Sequence, residues 1–73
     1  MPKFYSARDT INALIRAGFV KISQKGSHIK LKGIRDKKLS VVIIPNQKEI
    51  PIGTFSSVLK QANMTRQEFE TYL

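Results

Sequence analysis

The single histidine of the chain, His28, follows a short Lys-Gly-Ser segment formed by Lys25, Gly26 and Ser27. Imidazole titrates near neutral pH and can therefore accept or donate a proton under cellular conditions. Glycine and serine favour a tight turn, whose backbone N–H groups can point at an anion. RNA cleavage requires such a site, because the ribose 2′-hydroxyl needs a base and the phosphate needs positive charge around it. We therefore predict that His28 is catalytic and that the turn and Lys25 support it.

The predicted catalytic set is incomplete, because one imidazole cannot act as base and acid in the same step. Water, Lys25 or Ser27 would have to assist. We expect a slow enzyme compared with ribonucleases that use two imidazoles. A lone histidine is more often structural than catalytic, so its neighbours in the fold must distinguish the two roles.

Positive charge is concentrated in one part of the chain. The sequence has 13 Lys and Arg against five Asp and Glu, a net charge of +8. Seven of these cations and one acid fall within residues 21–38, which favours a polyanionic partner over a merely solvated surface. A predicted helix start at Gly53 could add N–H groups for a phosphate. The predicted RNA-binding residues are Lys21, Lys30, Lys32, Arg35, Lys37, Lys38, Lys48 and Thr54.

Composition excludes several classes of site. Cysteine is absent, which removes disulfides, thiolate metal sites and cysteine nucleophiles. One histidine with scattered carboxylates does not predict a metal site, and no motif predicts a cofactor. No run of residues is apolar enough to span a membrane and no signal peptide opens the chain, so we expect a cytoplasmic protein with one domain over residues 1–73.

The hydrophobic pattern predicts an α+β fold of order α-β-β-β-α with a last short helix. Ser6 before Asp9, and Thr65 before Glu68, are typical helix N-caps. The three strands should form an antiparallel sheet with the helices packed on one face. The expected elements are a helix over residues 7–17, strands over 19–25, 28–32 and 39–44, a polar connection over 33–38, and helices over 55–62 and about 65–73.

Side-chain alternation predicts which residues share the open face of this sheet. If Ile29 and Leu31 face the core, then His28, Lys30 and Lys32 face outwards together. By the same rule, we expect Val20 and Ile22 of the first strand to face the core. The polar residues between and after them then face outwards, namely Lys21, Ser23 and Lys25. The histidine would then lie among lysines, which favours catalysis over a core role.

The third strand is apolar on both faces. Leu39, Val41 and Ile43 alternate with Val42 and Ile44. Either both faces are covered within the monomer, or one face or the strand edge meets a partner. Because the last strand of a meander lies at an edge, a partner is favoured.

Four segments together resemble the HicA family of mRNA interferase toxins: 18–19 (Gly-Phe), 24–28 (Gln-Lys-Gly-Ser-His), 51–54 (Pro-Ile-Gly-Thr) and 59–62 (Leu-Lys-Gln-Ala). The resemblance implies a fold like the double-stranded RNA-binding domain and cleavage of mRNA, which halts translation and growth. It also implies a HicB antitoxin that covers the active face, a catalytic His28, and a Gly26-Ser27 turn. Many members have a second polar residue straight after the histidine, whereas this chain has Ile29.

Two other functions fit the same pattern. A non-catalytic RNA-binding module would use the basic patch to recognise a duplex by its shape. A small interaction protein would use its basic face to dock an acidic partner. The role of His28 separates the RNA-binding module from the nuclease, because binding needs charge at that position whereas catalysis needs a titratable group.

Overall fold

A computed structural model describes residues 4–73 and confirms the predicted α-β-β-β-α order. The sheet is antiparallel, with strand order β1-β2-β3, and β2 is central. No helix in the described range is long and apolar enough to cross a membrane. The elements are α1 (Ala7–Arg16), β1 (Val20–Lys25), β2 (His28–Arg35), β3 (Lys38–Pro45), α2 (Ile52–Gln61) and α3 (Arg66–Glu70).

The two predicted N-caps begin their helices as expected. The Asp9 N–H donates to Ser6 Oγ at 3.0 Å, and the Glu68 N–H donates to Thr65 Oγ1 at 3.1 Å. Each bond satisfies one of the backbone donors that a helix start leaves free. The second helix begins earlier than predicted, because the Phe55 N–H already donates to the Pro51 carbonyl. This bond places residues 52–54 in the first turn of the helix.

The predicted polar connection over residues 33–38 is wrong. Strand β2 continues to Arg35, and β3 begins at Lys38 directly opposite it. The two loop residues, Asp36 and Lys37, both have positive φ (51° and 65°), as the tightest hairpin turns require. Gly33 lies inside β2, where a Cβ would come within 2.8 Å of the Phe19 ring. Glycine here marks close packing and not a loop.

The core lies between one face of the sheet and the helices. Ile29 and Leu31 of β2 and Val42 and Ile44 of β3 are buried on that face. Three aromatic rings pack beneath them with centroids 5.0–5.3 Å apart, those of Tyr5, Phe55 and Phe69. We call the sheet face toward the helices the inner face and the opposite one the outer face.

The expectation that Val20 and Ile22 enter the core is wrong, since they are 57% and 43% exposed. The pairing of β1 with β2 shifts between Lys21 and Ser23, which leaves Ile22 as the extra residue of a β-bulge. Before the bulge, Val20 pairs with Lys32 and therefore shares the outer face. Strand β1 is exposed along its whole length.

Candidate functional site

The turn that carries His28 is a two-residue hairpin loop. Lys25 and His28 are paired across it, and Gly26 has a φ of +59°, a conformation that glycine adopts without strain. The Asn46 N–H donates to the Ser27 carbonyl at 2.7 Å, which ties the loop to the end of β3. His28 is therefore held at one end of the sheet, as the first residue of the central strand.

The outer face brings His28 together with three of the predicted cations. The exposed polar side chains of β2 on this face are those of His28, Lys30 and Lys32, as the alternation predicts. Lys25 is the cross-strand neighbour of His28 on β1, at the Cβ spacing of about 5 Å typical of such pairs. None of the three strands contains an acidic residue, so nothing within the sheet neutralises this charge.

The expectation that Lys21 faces outwards with His28 is wrong. The bulge at Ile22 reverses the alternation, so Lys21 pairs with Leu31, whose side chain is in the core. Its Nζ donates to Gln24 Oε1 at 3.1 Å on that same side of the sheet. Lys21 remains exposed, but its side chain is on the inner face of the sheet, opposite to that of His28.

Arg35 is also on the inner face, at the far end of β2. Its guanidinium forms an ion pair and a hydrogen bond with the Glu68 carboxylate of α3. The hydrogen bond to Glu68 raises the pKa of Arg35 above its ordinary value, although partial burial opposes the shift. The charge of Arg35 is thus permanent and already paired.

The other predicted cations lie at the two ends of the sheet. Lys37 and Lys38 are exposed at the β2–β3 turn, about 23 Å from His28 at the usual strand rise of about 3.3 Å per residue. Lys48 is exposed shortly after β3, which ends opposite His28. Thr54 is exposed in the first turn of α2, where Pro51 supplies no side-chain cap.

Arg8 was not predicted as a site residue, although it lies close to the predicted residue Lys48. It lines a shallow cavity together with Ser6, Asn46, Gln47 and Lys48. The Ala7 N–H donates to the Gln47 carbonyl at 2.8 Å, which brings the start of α1 next to the segment after β3. No local sequence signal predicts this contact, because the partners are about 40 residues apart.

The imidazole of His28 makes no hydrogen bond to any residue in the described range 4–73, and it is exposed. The next side chain, Ile29, is 5% exposed and belongs to the core. It therefore cannot supply a second polar group beside the imidazole. Within the described residues, no three His, Asp or Glu side chains are grouped closely enough to hold a metal ion. Lys25 and Pro45 are paired with His28 on its two sides, so the nearest polar side chains in register or sequence are those of Lys25 and Ser27.

Comparison with known proteins gives one result that covers this site. The sequence matches the family model described as HicA toxin of bacterial toxin-antitoxin over residues 7–64, from the first residue of α1 to the end of the α2–α3 connection. No curated protein matches the chain. The matched range contains the His28 turn and the whole sheet, and it is well over half of the 73 residues. The chain therefore belongs to the HicA toxin family of bacterial toxin–antitoxin systems.

Proposed function

We propose that this toxin is an endoribonuclease that cleaves mRNA through His28 and thereby stops translation and growth. The observation that carries the proposal is an exposed imidazole, free of protein hydrogen bonds in the described range, on a sheet face that holds cations and no acid. A core histidine would be buried and partnered. His28 instead lies where a phosphodiester could reach it from solvent.

The reaction would be a transesterification within the RNA. His28 removes the proton from the 2′-hydroxyl, whose oxygen attacks the neighbouring phosphorus and displaces the 5′-oxygen. The products are a 2′,3′-cyclic phosphate and a 5′-hydroxyl, which takes up one proton. Lys25, paired with His28 across the turn, or a water molecule supplies that proton or stabilises the developing charge. The substrate provides its own nucleophile, so we propose that cleavage needs no metal ion or cofactor.

Membership of a toxin–antitoxin family implies a cognate antitoxin. We propose that it is of the HicB type and covers the outer face, and that the pair acts in the cytoplasm, where mRNA is translated. Uncovered cations and exposed apolar residues on one sheet face, such as Lys30 and Leu39, support a partner there. The antitoxin would then compete with RNA for the same surface.

A non-catalytic RNA-binding function is the second candidate. The Lys30 and Lys32 row would hold phosphates whether or not His28 transfers a proton. This candidate predicts RNA affinity without strand scission.

Induced expression of the native chain and of His28→Ala separates the two functions. We expect the native chain to arrest growth and fragment mRNA, and His28→Ala to do neither while it still folds and binds RNA. Asn12→Ala, an exposed change on α1, is the matched control and should behave like the native chain. If native and His28→Ala chains behave alike, His28 is not catalytic and the binding function replaces the nuclease.

A further inference from the structure

The outer face has an apolar part that the proposed reaction does not use. Ile34 is 74% exposed, Leu39 67% and Val41 40%. These side chains share the outer face with the lysines, because Ile34 pairs with Leu39 and Lys32 pairs with Val41. Val20 pairs with Lys32 from the other side and is 57% exposed. A small protein in water rarely leaves such a cluster uncovered without a use for it.

The apolar residues form a row that runs beside the cations. Along β2 the outward positions are His28, Lys30, Lys32 and Ile34, and their neighbours on β3 are Pro45, Ile43, Val41 and Leu39. Outward positions repeat about every 6.7 Å along a strand, and adjacent strands lie about 4.8 Å apart. Each basic position therefore has an apolar position beside it, over about 20 Å from His28 to the end of the row at Ile34 and Leu39.

We infer that the outer face binds unpaired RNA, with phosphates on the Lys30 and Lys32 row and bases on the apolar row of β3 that includes Leu39 and Val41. The inference rests on the proposed function and names the substrate class of that site. Unpaired bases can turn away from their backbone and present their flat faces to the protein, while the phosphates remain on the cations.

The paired rows favour a single strand over two other occupants, an RNA duplex and a second copy of this chain. A duplex keeps its bases inside and presents ribose and phosphate, so it would match Lys30 and Lys32 but leave Leu39 and Val41 without apolar contact. A second copy of this chain would bring another net charge of +8 against a face that has no acid. A single strand supplies a row of phosphates with a row of bases beside it, which matches the neighbouring basic and apolar rows of the protein.

The test measures binding to two RNAs that contain the same strand, one free and one annealed to its complement. His28→Ala protein is used so that no RNA is cut during the titration. We expect the free strand to bind at least about tenfold more tightly than the duplex. The double variant Leu39→Thr/Val41→Thr, in which threonine keeps the strand propensity, should weaken binding of the free strand about fivefold and leave duplex binding unchanged.

Ile15→Gln is the matched control, because Ile15 is 47% exposed but lies on α1 in the helix layer. It should bind both RNAs like the parent protein, and circular dichroism should show all variants folded. Equal or tighter binding of the duplex would overturn the inference in favour of shape recognition. Unchanged free-strand binding by the threonine variant would also overturn it and assign the apolar row to a protein partner. Binding is read without cleavage, so failure of the nuclease reaction alone would leave this result unaffected.

Discussion

The two faces of β2 hold basic side chains in different environments. His28 begins the strand on the outer face, exposed and without a protein hydrogen bond in the described range. Arg35 ends it on the inner face, where Glu68 already pairs with its charge. Both residues belong to the most basic part of the sequence. Position parity in the central strand, and not charge density alone, therefore determines which basic side chains are free to meet a substrate.

Removal of the outer-face imidazole should affect activity and leave stability unchanged. For His28→Ala we expect the cleavage rate to fall by about 10²–10⁴-fold, the usual contribution of a general acid–base group. The free energy of unfolding should stay within about 0.5 kcal/mol, since the side chain is exposed. Single-turnover cleavage and urea unfolding measure the two quantities. A large loss of stability would place His28 among the structural residues.

A change on the inner face of the same strand should give the reverse pattern. Leu31 is fully buried, and Leu31→Ala should cost about 2–5 kcal/mol of unfolding free energy through the cavity that it leaves. Where the variant still folds, its cleavage rate per folded molecule should remain near that of the native chain. Denaturant titration gives the first value and activity normalised to the folded fraction the second. A stable but inactive variant would contradict the separation of the two faces.

Removal of the outer-face charges should change how RNA affinity depends on salt. Each phosphate contact to a single strand contributes about 0.7 to the slope of log K against log salt, so Lys30→Gln/Lys32→Gln should reduce the slope by about 1.4. Lys60→Gln, an exposed cation on α2, is the matched control and should leave the slope unchanged. Equal effects of both changes would mean that only net charge matters.

The smallest effect is expected at the Arg35–Glu68 ion pair. The two side chains are 18% and 35% exposed, so solvent screening limits the coupling to about 1 kcal/mol or less. A double-mutant cycle with Arg35→Gln and Glu68→Gln measures this coupling from unfolding free energies. RNA affinity should change less than for Lys30→Gln. A larger loss of affinity at Arg35 would show that this pair opens to bind RNA.

Local signals in the sequence predicted much of the fold. The predicted N-caps at Ser6 and Thr65 were correct because each depends on a short-range contact. In each, the hydroxyl accepts a hydrogen bond from the backbone N–H three residues later. The outward positions of His28, Lys30 and Lys32 followed from a regular alternation with the buried residues between them. The role of these residues in RNA binding and cleavage is still a prediction.

The errors arose where contacts distant in the sequence override the local pattern. Gly33 indicated a loop, yet the Phe19 ring packs where its side chain would be, and β2 continues through it. The bulge at Ile22 depends on how β1 pairs with β2, and it moves Lys21 away from the imidazole. Arg8 lies next to the segment after β3, where the Ala7 N–H donates to the Gln47 carbonyl. None of these contacts has a signature within a few residues.

The central claim is that His28 transfers a proton and does not merely supply charge. The most direct measurement compares the native protein with His28→Lys on one purified RNA in the presence of a metal chelator. Lysine places a positive charge at this exposed position but is almost fully protonated at neutral pH, so it cannot act as a base. We expect that the native protein yields 2′,3′-cyclic phosphate ends, and that His28→Lys binds the RNA equally well but cleaves it at least about 100-fold more slowly. Equal cleavage by His28→Lys, or no cleavage by the native protein until a metal ion is added back, would contradict it.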